Sequence, residues 1–133
     1  MNVKQNDYAL PVSSQLIAVI QKYIEQSGNN FTNGVVINFK DPEYSAEQGG
    51  FHPVEIALNE KGRLLYITDF SYVEGGPGVE LAKELDFDFS QGLLQQFGVE
   101  YPITQGCSLY ALWEKNFLSY HSIGVYQVTV EEL

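Results

Sequence analysis

The side chains best suited to chemistry are concentrated in one short stretch near the middle of the chain, followed by a single aspartate. They are Tyr44, Ser45, Glu47 and His52, with Asp69 further along. An imidazole oriented by a carboxylate is the pair that many enzymes use as a general base. The first question is therefore whether the fold brings His52 and Asp69 together.

Two predicted strands decide whether these two side chains meet. Residues 51–58 and 64–73 contain alternating apolar residues, which is typical of half-buried strands, and Gly62 suits the hairpin connection between them. The predicted register pairs Leu58 with Arg63, Ile56 with Leu65 and Val54 with Ile67. This register places His52 opposite Asp69, and directly opposed residues have Cβ atoms about 5 Å apart. We therefore predict a contact between the imidazole and the carboxylate at the end of the apolar sheet face.

This predicted contact has three interpretations. In the first, Asp69 is only the hydrogen-bond partner of a partly buried His52. In the second, the protein is a small hydrolase-like enzyme centred on His52, Asp69, Glu47 and Tyr44. No nucleophile-elbow pattern surrounds Ser45, so no catalytic residue is assigned. In the third interpretation, Tyr44, Ser45, Glu47, His52 and Asp69 bind a ligand or a partner.

The spacing of a recognised metal site is absent around the histidine. Glu47, Glu55 and Asp69 each offer a carboxylate, but they form no motif such as HExxH. The glycine-rich segments 49–50 and 75–78 lack the lysine and the strand-to-helix context of a phosphate loop. The sequence therefore predicts neither a metal site nor a cofactor.

A second polar feature is an acidic stripe on a predicted strand. In residues 85–89 acidic and apolar side chains alternate, so the two kinds point to opposite faces. The predicted acidic face consists of Glu84, Asp86 and Asp88. Such a face is either simply solvated or a docking surface for a basic protein partner. A nucleic-acid mimic is an alternative function that requires acids along one face.

The overall charge limits the classes of partner. The formal net charge of -10 repels phosphate backbones and anionic membranes, so direct binding of nucleic acid or membrane is disfavoured. A basic protein is the expected partner. The polar N-terminus lacks the apolar segment of a signal peptide, and the single cysteine, Cys107, forms no internal disulfide. We therefore expect a cytoplasmic protein.

The predicted elements indicate an α+β fold. The length of 133 residues suits one domain, with residues 1–9 as a polar lead-in and residues 10–133 as a single α+β domain. We expect a twisted antiparallel sheet of about five strands, flanked by an N-terminal helix and by a helix near the C-terminus. Residues 79–83 are predicted as one helical turn, and residues 90–106 give no clear prediction.

The two predicted helices have recognisable ends or faces. The first begins after a capping serine, Ser13 or Ser14, and ends at Gly28. Ser108 is the predicted cap of the second helix. The apolar face of this helix is predicted to comprise Leu109, Leu112, Trp113, Asn116, Phe117 and Tyr120, which recur at helical spacing. Its tryptophan and phenylalanine are therefore predicted to belong to the core rather than to a binding platform.

Four segments together resemble the signature of a bacterial family known as domain of unknown function 2787. They are residues 44–55 (YSAEQGGFHPVE), 66–72 (YITDFSY), 85–89 (LDFDF) and 113–117 (WEKNF). The family is uncharacterised and often encoded on mobile islands, and its fold is similar to that of an acidic mitochondrial matrix protein that binds a complement component. The resemblance implies a twisted antiparallel sheet flanked by helices, together with a binding role. It assigns no catalytic residues.

These observations favour a non-enzymatic protein-interaction or binding module over an enzyme. The expected binding surface is the acidic surface or the loop from Tyr44 to His52, and binding through exposed charges should weaken with salt. The hydrolase-like enzyme stays the first alternative. A subunit whose aromatic surface is covered by a second copy of the chain, forming a homo-oligomer, is a further alternative.

Overall fold

The computed structural model describes residues 1–75 and 78–133. These residues form α1 (Ser14–Ser27), β1 (Val35–Lys40), β2 (Val54–Leu58), β3 (Leu64–Gly75), β4 (Gly78–Asp88), β5 (Leu93–Gln96), β6 (Val99–Pro102), a 3-10 helix (Ile103–Gly106), α2 (Cys107–Ser122) and β7 (Gln127–Glu132). The fold is α+β, with an N-terminal helix and a helix near the C-terminus, as predicted. Gly76 and Pro77, in the glycine-rich segment 75–78, lie outside the described residues.

Within the described ranges, seven strands form one antiparallel sheet with the order β6-β5-β4-β3-β2-β1-β7. The predicted number of strands was too low because residues 90–106, which gave no prediction, contain β5 and β6. These two strands are joined by Phe97 and Gly98, with φ of 49° and 83°. Two successive left-handed residues close a two-residue hairpin, but phenylalanine is an unusual first member and gave no turn signal.

Residues 79–83 are not the helical turn that was predicted. They belong to β4 and pair with β3 along their whole length, from Glu74 opposite Val79 to Phe70 opposite Lys83. The cross-strand hydrogen bonds and side-chain contacts of a long ladder override a weak local preference for helix.

The ends of α1 agree with the prediction and the start of α2 does not. The Ser13 side chain accepts a hydrogen bond from the backbone N–H of Leu16 at 3.1 Å, and Gly28 ends the helix with a φ of 68°. The second helix begins at Cys107 instead of after Ser108. It continues directly from the 3-10 helix, so its first turn has no capping side chain.

Both helices pack on the same face of the sheet. Phe39 of β1 contacts Tyr23 of α1 and Phe117 of α2, with ring centroids 5.7 Å and 5.0 Å apart. Further along the sheet, Phe87 of β4 contacts Tyr110 of α2 at 5.2 Å. The other face carries a row of direct cross-strand neighbours that are polar, namely Asn38, Glu55, Thr68, Asp86 and Gln95. The apolar core therefore lies between the sheet and a single helical layer.

The register between β2 and β3 differs from the predicted one by two residues at the end near the histidine. Val54 pairs with Asp69, and Ile56 pairs with Ile67. One residue of the difference arises at the turn, where Leu58 pairs with Leu64 and not with Arg63. The second arises at the irregularity that follows, where Ala57 pairs with Tyr66 and one extra residue is accommodated. A shift of two residues keeps every side chain on its predicted face, because the side-chain period of a strand is two.

The far parts of β3 and β4 extend beyond the neighbouring strands. The pairing of β3 with β2 ends at Asp69, and the pairing of β4 with β5 begins at Leu85. In the strand ladders of the described residues, 70–75 and 78–83 therefore pair only with each other, although the Phe70 N–H also donates to the Pro53 carbonyl at 2.9 Å. We refer to them as the ribbon.

Residues 1–9, the predicted polar lead-in, lie along the domain. The backbone N–H of Val3 donates to the Gln21 side chain at 2.8 Å, and that of Lys4 donates to the Gly62 carbonyl at 2.9 Å.

Neither helix in the described part of the chain is long and apolar enough to cross a membrane.

A buried carboxylate connects the two helices. Glu114 of α2 is only 7% exposed, and its Oε2 accepts hydrogen bonds from the Ser13 backbone N–H at 3.1 Å and from the Tyr110 hydroxyl at 2.6 Å. The start of α1 is thus fixed to the middle of α2, which forms one wall of the cleft described below.

We predict that Glu114→Ala lowers the free energy of unfolding by about 2 to 4 kcal/mol, because the buried Tyr110 hydroxyl and the partly buried Ser13 N–H lose their acceptor. Urea denaturation monitored by circular dichroism measures the change. Lys115→Ala, at an exposed position of the same helix, is the matched control and should stay within about 0.5 kcal/mol of the parent protein. Equal losses in the two variants would show that the Glu114 hydrogen bonds do not stabilise the fold.

Candidate binding cleft

A cleft of about 360 Å³ opens between α2 and the helix-facing side of the sheet. This volume falls in the range of about 300 to 1,000 Å³ that is typical of ligand sites. Its walls are formed by Gly50, Phe51, His52, Val54, Asp69, Glu84, Leu85 and Tyr126, together with six residues of α2. At one side the rings of Phe51 and Tyr120 are 4.5 Å apart, so the segment before β2 contacts α2.

The wall on α2 consists of the residues that were predicted to face the core, namely Leu109, Leu112, Trp113, Asn116, Phe117 and Tyr120. The core-facing side of α2 is rotated from this prediction, and its buried residues are Tyr110, Trp113, Glu114 and Phe117. Trp113 and Phe117 belong to both sets, so their predicted place in the core is confirmed. Leu112 is 58% exposed. The predicted apolar face is therefore a cleft wall with an open rim.

An aspartate lies at the closed end of this cleft, on the apolar side of the sheet. In the ladder Asp69 stands between Val54 of β2 and Leu85 of β4, both of which are buried. Its Oδ2 accepts a hydrogen bond from the Trp113 indole N–H at 3.0 Å, and its Oδ1 lies 2.8 Å from Nδ1 of His52. A buried carboxylate requires such partners, since an unpaired one would strongly destabilise the fold.

The contact between His52 and Asp69 that the sequence predicted is present, although the two residues are not direct cross-strand partners. His52 precedes β2, two residues before Val54, and reaches Asp69 diagonally. Whether this pair has a functional role stays a prediction.

A second carboxylate, from Glu84, joins the pair. Its Oε2 lies 3.1 Å from Nδ1 of His52. The ladder pairs Asp69 with Leu85 and Phe70 with Lys83, so Glu84 is the extra residue of a β-bulge. Bulges redirect side chains, and this one directs Glu84 into the cleft. The sequence analysis did not place Glu84 in this site, because the residue types around position 84 do not indicate a bulge.

A buried aspartate fixes the segment that carries His52. Asp41, at the end of β1, accepts hydrogen bonds from the Glu43 N–H at 2.9 Å and the Phe51 N–H at 3.0 Å. Gly50 has a φ of 131°, and a Cβ there would lie 2.9 Å from the Asp41 carboxylate, so only glycine fits. These contacts close residues 41–51 into a compact loop and hold His52 at the cleft.

The other predicted site residues do not point into the cleft. Tyr44 stacks on Tyr72 with ring centroids 5.0 Å apart, and its hydroxyl accepts a hydrogen bond from the Tyr72 N–H at 3.1 Å. Its ring is 5.4 Å from that of His52, so it supports the imidazole from outside. Ser45 is a turn residue whose hydroxyl accepts from Gln48 N–H at 3.0 Å. Glu47 is exposed and is not among the residues that line the cleft. The glutamate beside His52 is Glu84 and not the predicted Glu47.

The predicted acidic face of Glu84, Asp86 and Asp88 is not formed as one surface. Glu84 lines the cleft, whereas Asp86 and Asp88 line a separate depression with Gln95. Asp86 is buried and accepts a hydrogen bond from the Thr68 hydroxyl at 2.8 Å, and burial raises its pKa. A continuous acidic stripe of the kind that a nucleic-acid mimic needs is therefore not made by these three residues.

The two carboxylates determine the electrostatics of the cleft end. The hydrogen bond to Asp69 raises the pKa of His52 above its ordinary value of 6.5, with further contributions from the charges of Asp69 and Glu84 and with burial acting in the opposite direction. A protonated His52 leaves the group of three with a net charge of minus one, and a neutral His52 leaves minus two. In either state the end of the cleft carries a net negative charge, and aromatic side chains line the walls beside it.

We predict that the two histidines titrate on opposite sides of 6.5. Burial lowers the pKa of His121, whose Nε2 lies 2.7 Å from the Tyr23 hydroxyl, and hydrogen bonding raises that of His52. Carbon-detected or proton NMR of the imidazole Cε1–H groups measures both values.

The variant Glu84→Gln should lower the pKa of His52 and leave that of His121 unchanged. Because folding raises the pKa of His52, the stability that this group contributes is fully present below about pH 6.5 and is lost as the pH rises through the folded-state pKa. A His52 pKa at or below that of His121 would contradict the geometry described above.

Comparisons with known proteins agree with this architecture. Residues 14–131 match the family model described as "Protein of unknown function (DUF2787)". A search of curated proteins found no match.

Two solved structures from Vibrio cholerae are similar to the chain. The hypothetical protein VC0508 from the VSP-II pathogenicity island is 34% identical, with a TM-score of 0.83, and the match covers 96% of this chain and 99% of that one. The conserved hypothetical protein VC1805 from the pathogenicity island VPI-2 is 37% identical, with a TM-score of 0.82 and coverage of 95% and 98%. The latter is described as sharing structural homology with the human P32 protein. The extent of the family match shows that the chain belongs to the DUF2787 family of proteins of unknown function.

Proposed function

We propose that the protein is a non-enzymatic binding module whose cleft accepts a segment of a partner protein that carries a basic side chain next to an aromatic or aliphatic one. The observation that supports this proposal is the position of two carboxylates around His52 at the end of an aromatic-lined cleft. A lysine or arginine would be neutralised by Asp69 and Glu84, and the neighbouring apolar side chain would pack against the α2 wall.

The overall charge favours the same kind of partner. A formal net charge of -10 attracts basic proteins over long distances and accelerates their association. The rim residue Leu112 is 58% exposed and provides apolar surface beside the charged end. Apolar contact gives affinity, and the charge pair orients the bound segment.

The composition of the cleft does not favour a covalent hydrolase. Its described lining residues include no serine, threonine or cysteine, and the Tyr44 hydroxyl is engaged with the Tyr72 backbone. Among the described lining residues, His52 and its carboxylates therefore have no hydroxyl or thiol side chain to activate for covalent catalysis.

The proposal is tested by fluorescence titration with short synthetic peptides. Trp113 is the single tryptophan and lines the cleft, so its emission reports binding directly. The probes pair one arginine or lysine with one phenylalanine or leucine, and each has a neutral analogue with glutamine in place of the basic residue. We expect saturable binding of the basic probes that weakens in about 0.5 M NaCl.

The variant Glu84→Gln should weaken this binding about two- to fivefold, the effect of losing one partly exposed ion pair. Glu100→Gln is the matched control, because Glu100 is exposed on β6 and does not line the cleft. Equal affinity for basic and neutral peptides, or equal effects of the two variants, would contradict the proposal. Absence of binding by every probe at millimolar concentration would do the same.

A further inference from the structure

We propose that His52, Asp69 and Glu84 form a binding site for a divalent transition-metal ion such as Zn²⁺. One imidazole and two carboxylates are ligands that this class of ion accepts. This inference concerns a different ligand from the basic segment proposed above and does not depend on peptide binding.

The three ligand atoms already converge. One atom from each side chain lies within 4.8 Å of the other two. Nδ1 of His52 is 2.8 Å from Oδ1 of Asp69 and 3.1 Å from Oε2 of Glu84. Ligands that bind zinc tetrahedrally at about 2.0 to 2.1 Å stand about 3.3 Å apart. The two distances from Nδ1 of His52 are within about 0.5 Å of this spacing, so binding would require these side chains to move slightly apart.

The charges of the group also match a divalent ion. Two carboxylates and a neutral imidazole carry a charge of minus two, which a divalent cation neutralises. The single Nδ1 of His52 faces both carboxylates, with Oδ1 of Asp69 at 2.8 Å and Oε2 of Glu84 at 3.1 Å, and its one hydrogen cannot fully satisfy both. An ion would give both carboxylates a partner at once.

The surroundings hold each ligand in place, as functional metal sites require. The Trp113 indole N–H donates a hydrogen bond to Oδ2 of Asp69, and Oδ1 is directed at the site. The bulge in β4 sets the direction of Glu84, and the loop closed by Asp41 holds His52. The cleft supplies the access route. Three protein ligands leave at least one coordination position open towards the cleft. Zinc sites that bind water or a substrate have this arrangement, whereas structural zinc sites have four protein ligands.

A bound ion would change what the cleft accepts. It would remove the negative charge that attracts a basic side chain and offer an open position to an anionic group such as a carboxylate. The metal and a basic peptide should therefore compete for the same end of the cleft.

The test is metal titration of chelator-treated protein with no peptide present. Isothermal titration with Zn²⁺ should give one ion per chain, and Co²⁺ should produce the visible absorption bands of a bound ion. The NMR resonance of the single indole N–H, which contacts Asp69, should shift on addition of Zn²⁺. His52→Gln should weaken Zn²⁺ binding about tenfold or more, and His121→Gln, the only other histidine variant, should bind as the parent does.

Several results would overturn the inference. One is the absence of saturable Zn²⁺ or Co²⁺ binding to the parent protein. Another is equal affinity of the parent and His52→Gln, which would indicate adventitious binding to exposed carboxylates. If His52→Gln does not fold by circular dichroism, Glu84→Gln replaces it, with Glu100→Gln as control, and the same loss is required. Metal binding without peptide binding would overturn only the proposed function, and peptide binding without metal binding would overturn only this inference.

Discussion

The structure depends on a carboxylate in a position that its neighbours fill with apolar side chains. Asp69 stands between Val54 and Leu85 on the helix-facing side of the sheet, where an unpaired charge would be costly. Both of its oxygens are engaged, one by Trp113 of α2 and one by His52 of the segment before β2. Two elements that are distant in sequence are thereby held against the centre of the sheet. The cleft lies beside this polar group, between α2 and the sheet.

Features that follow from local chemistry were predictable from the sequence. The serine cap and the glycine end of α1 are each decided within a few residues, and the structure confirms both. The contact between His52 and Asp69 was also predicted, although the register behind it was wrong by two residues. The predicted contact is still present because a register shift of two residues leaves the side chains on the same face, and because the imidazole is long enough to reach a diagonal neighbour.

Features that depend on a single inserted residue were not predictable. The bulge that directs Glu84 into the cleft leaves the alternation of residues 85–89 intact, so the sequence described a regular acidic stripe. The hairpin between β5 and β6 turns on Phe97 and Gly98, a pair without the usual asparagine or aspartate. The prediction of which side of α2 is buried was wrong for a different reason. Apolar residues cover more than half of its circumference, and only the tertiary contacts of Tyr110 and Glu114 decide which side is buried.

The bulge at Glu84 has a mechanical consequence as well as a chemical one. It lies where the ribbon of residues 70–75 and 78–83 leaves the sheet, while Asp69 on the adjoining strand is still paired with Val54. A two-stranded ribbon is only marginally stable by itself, so bending concentrates at this irregular junction. We therefore expect a contact that tilts the far end of the ribbon to change the position of Glu84 relative to His52 and Asp69, which are joined by their own hydrogen bond.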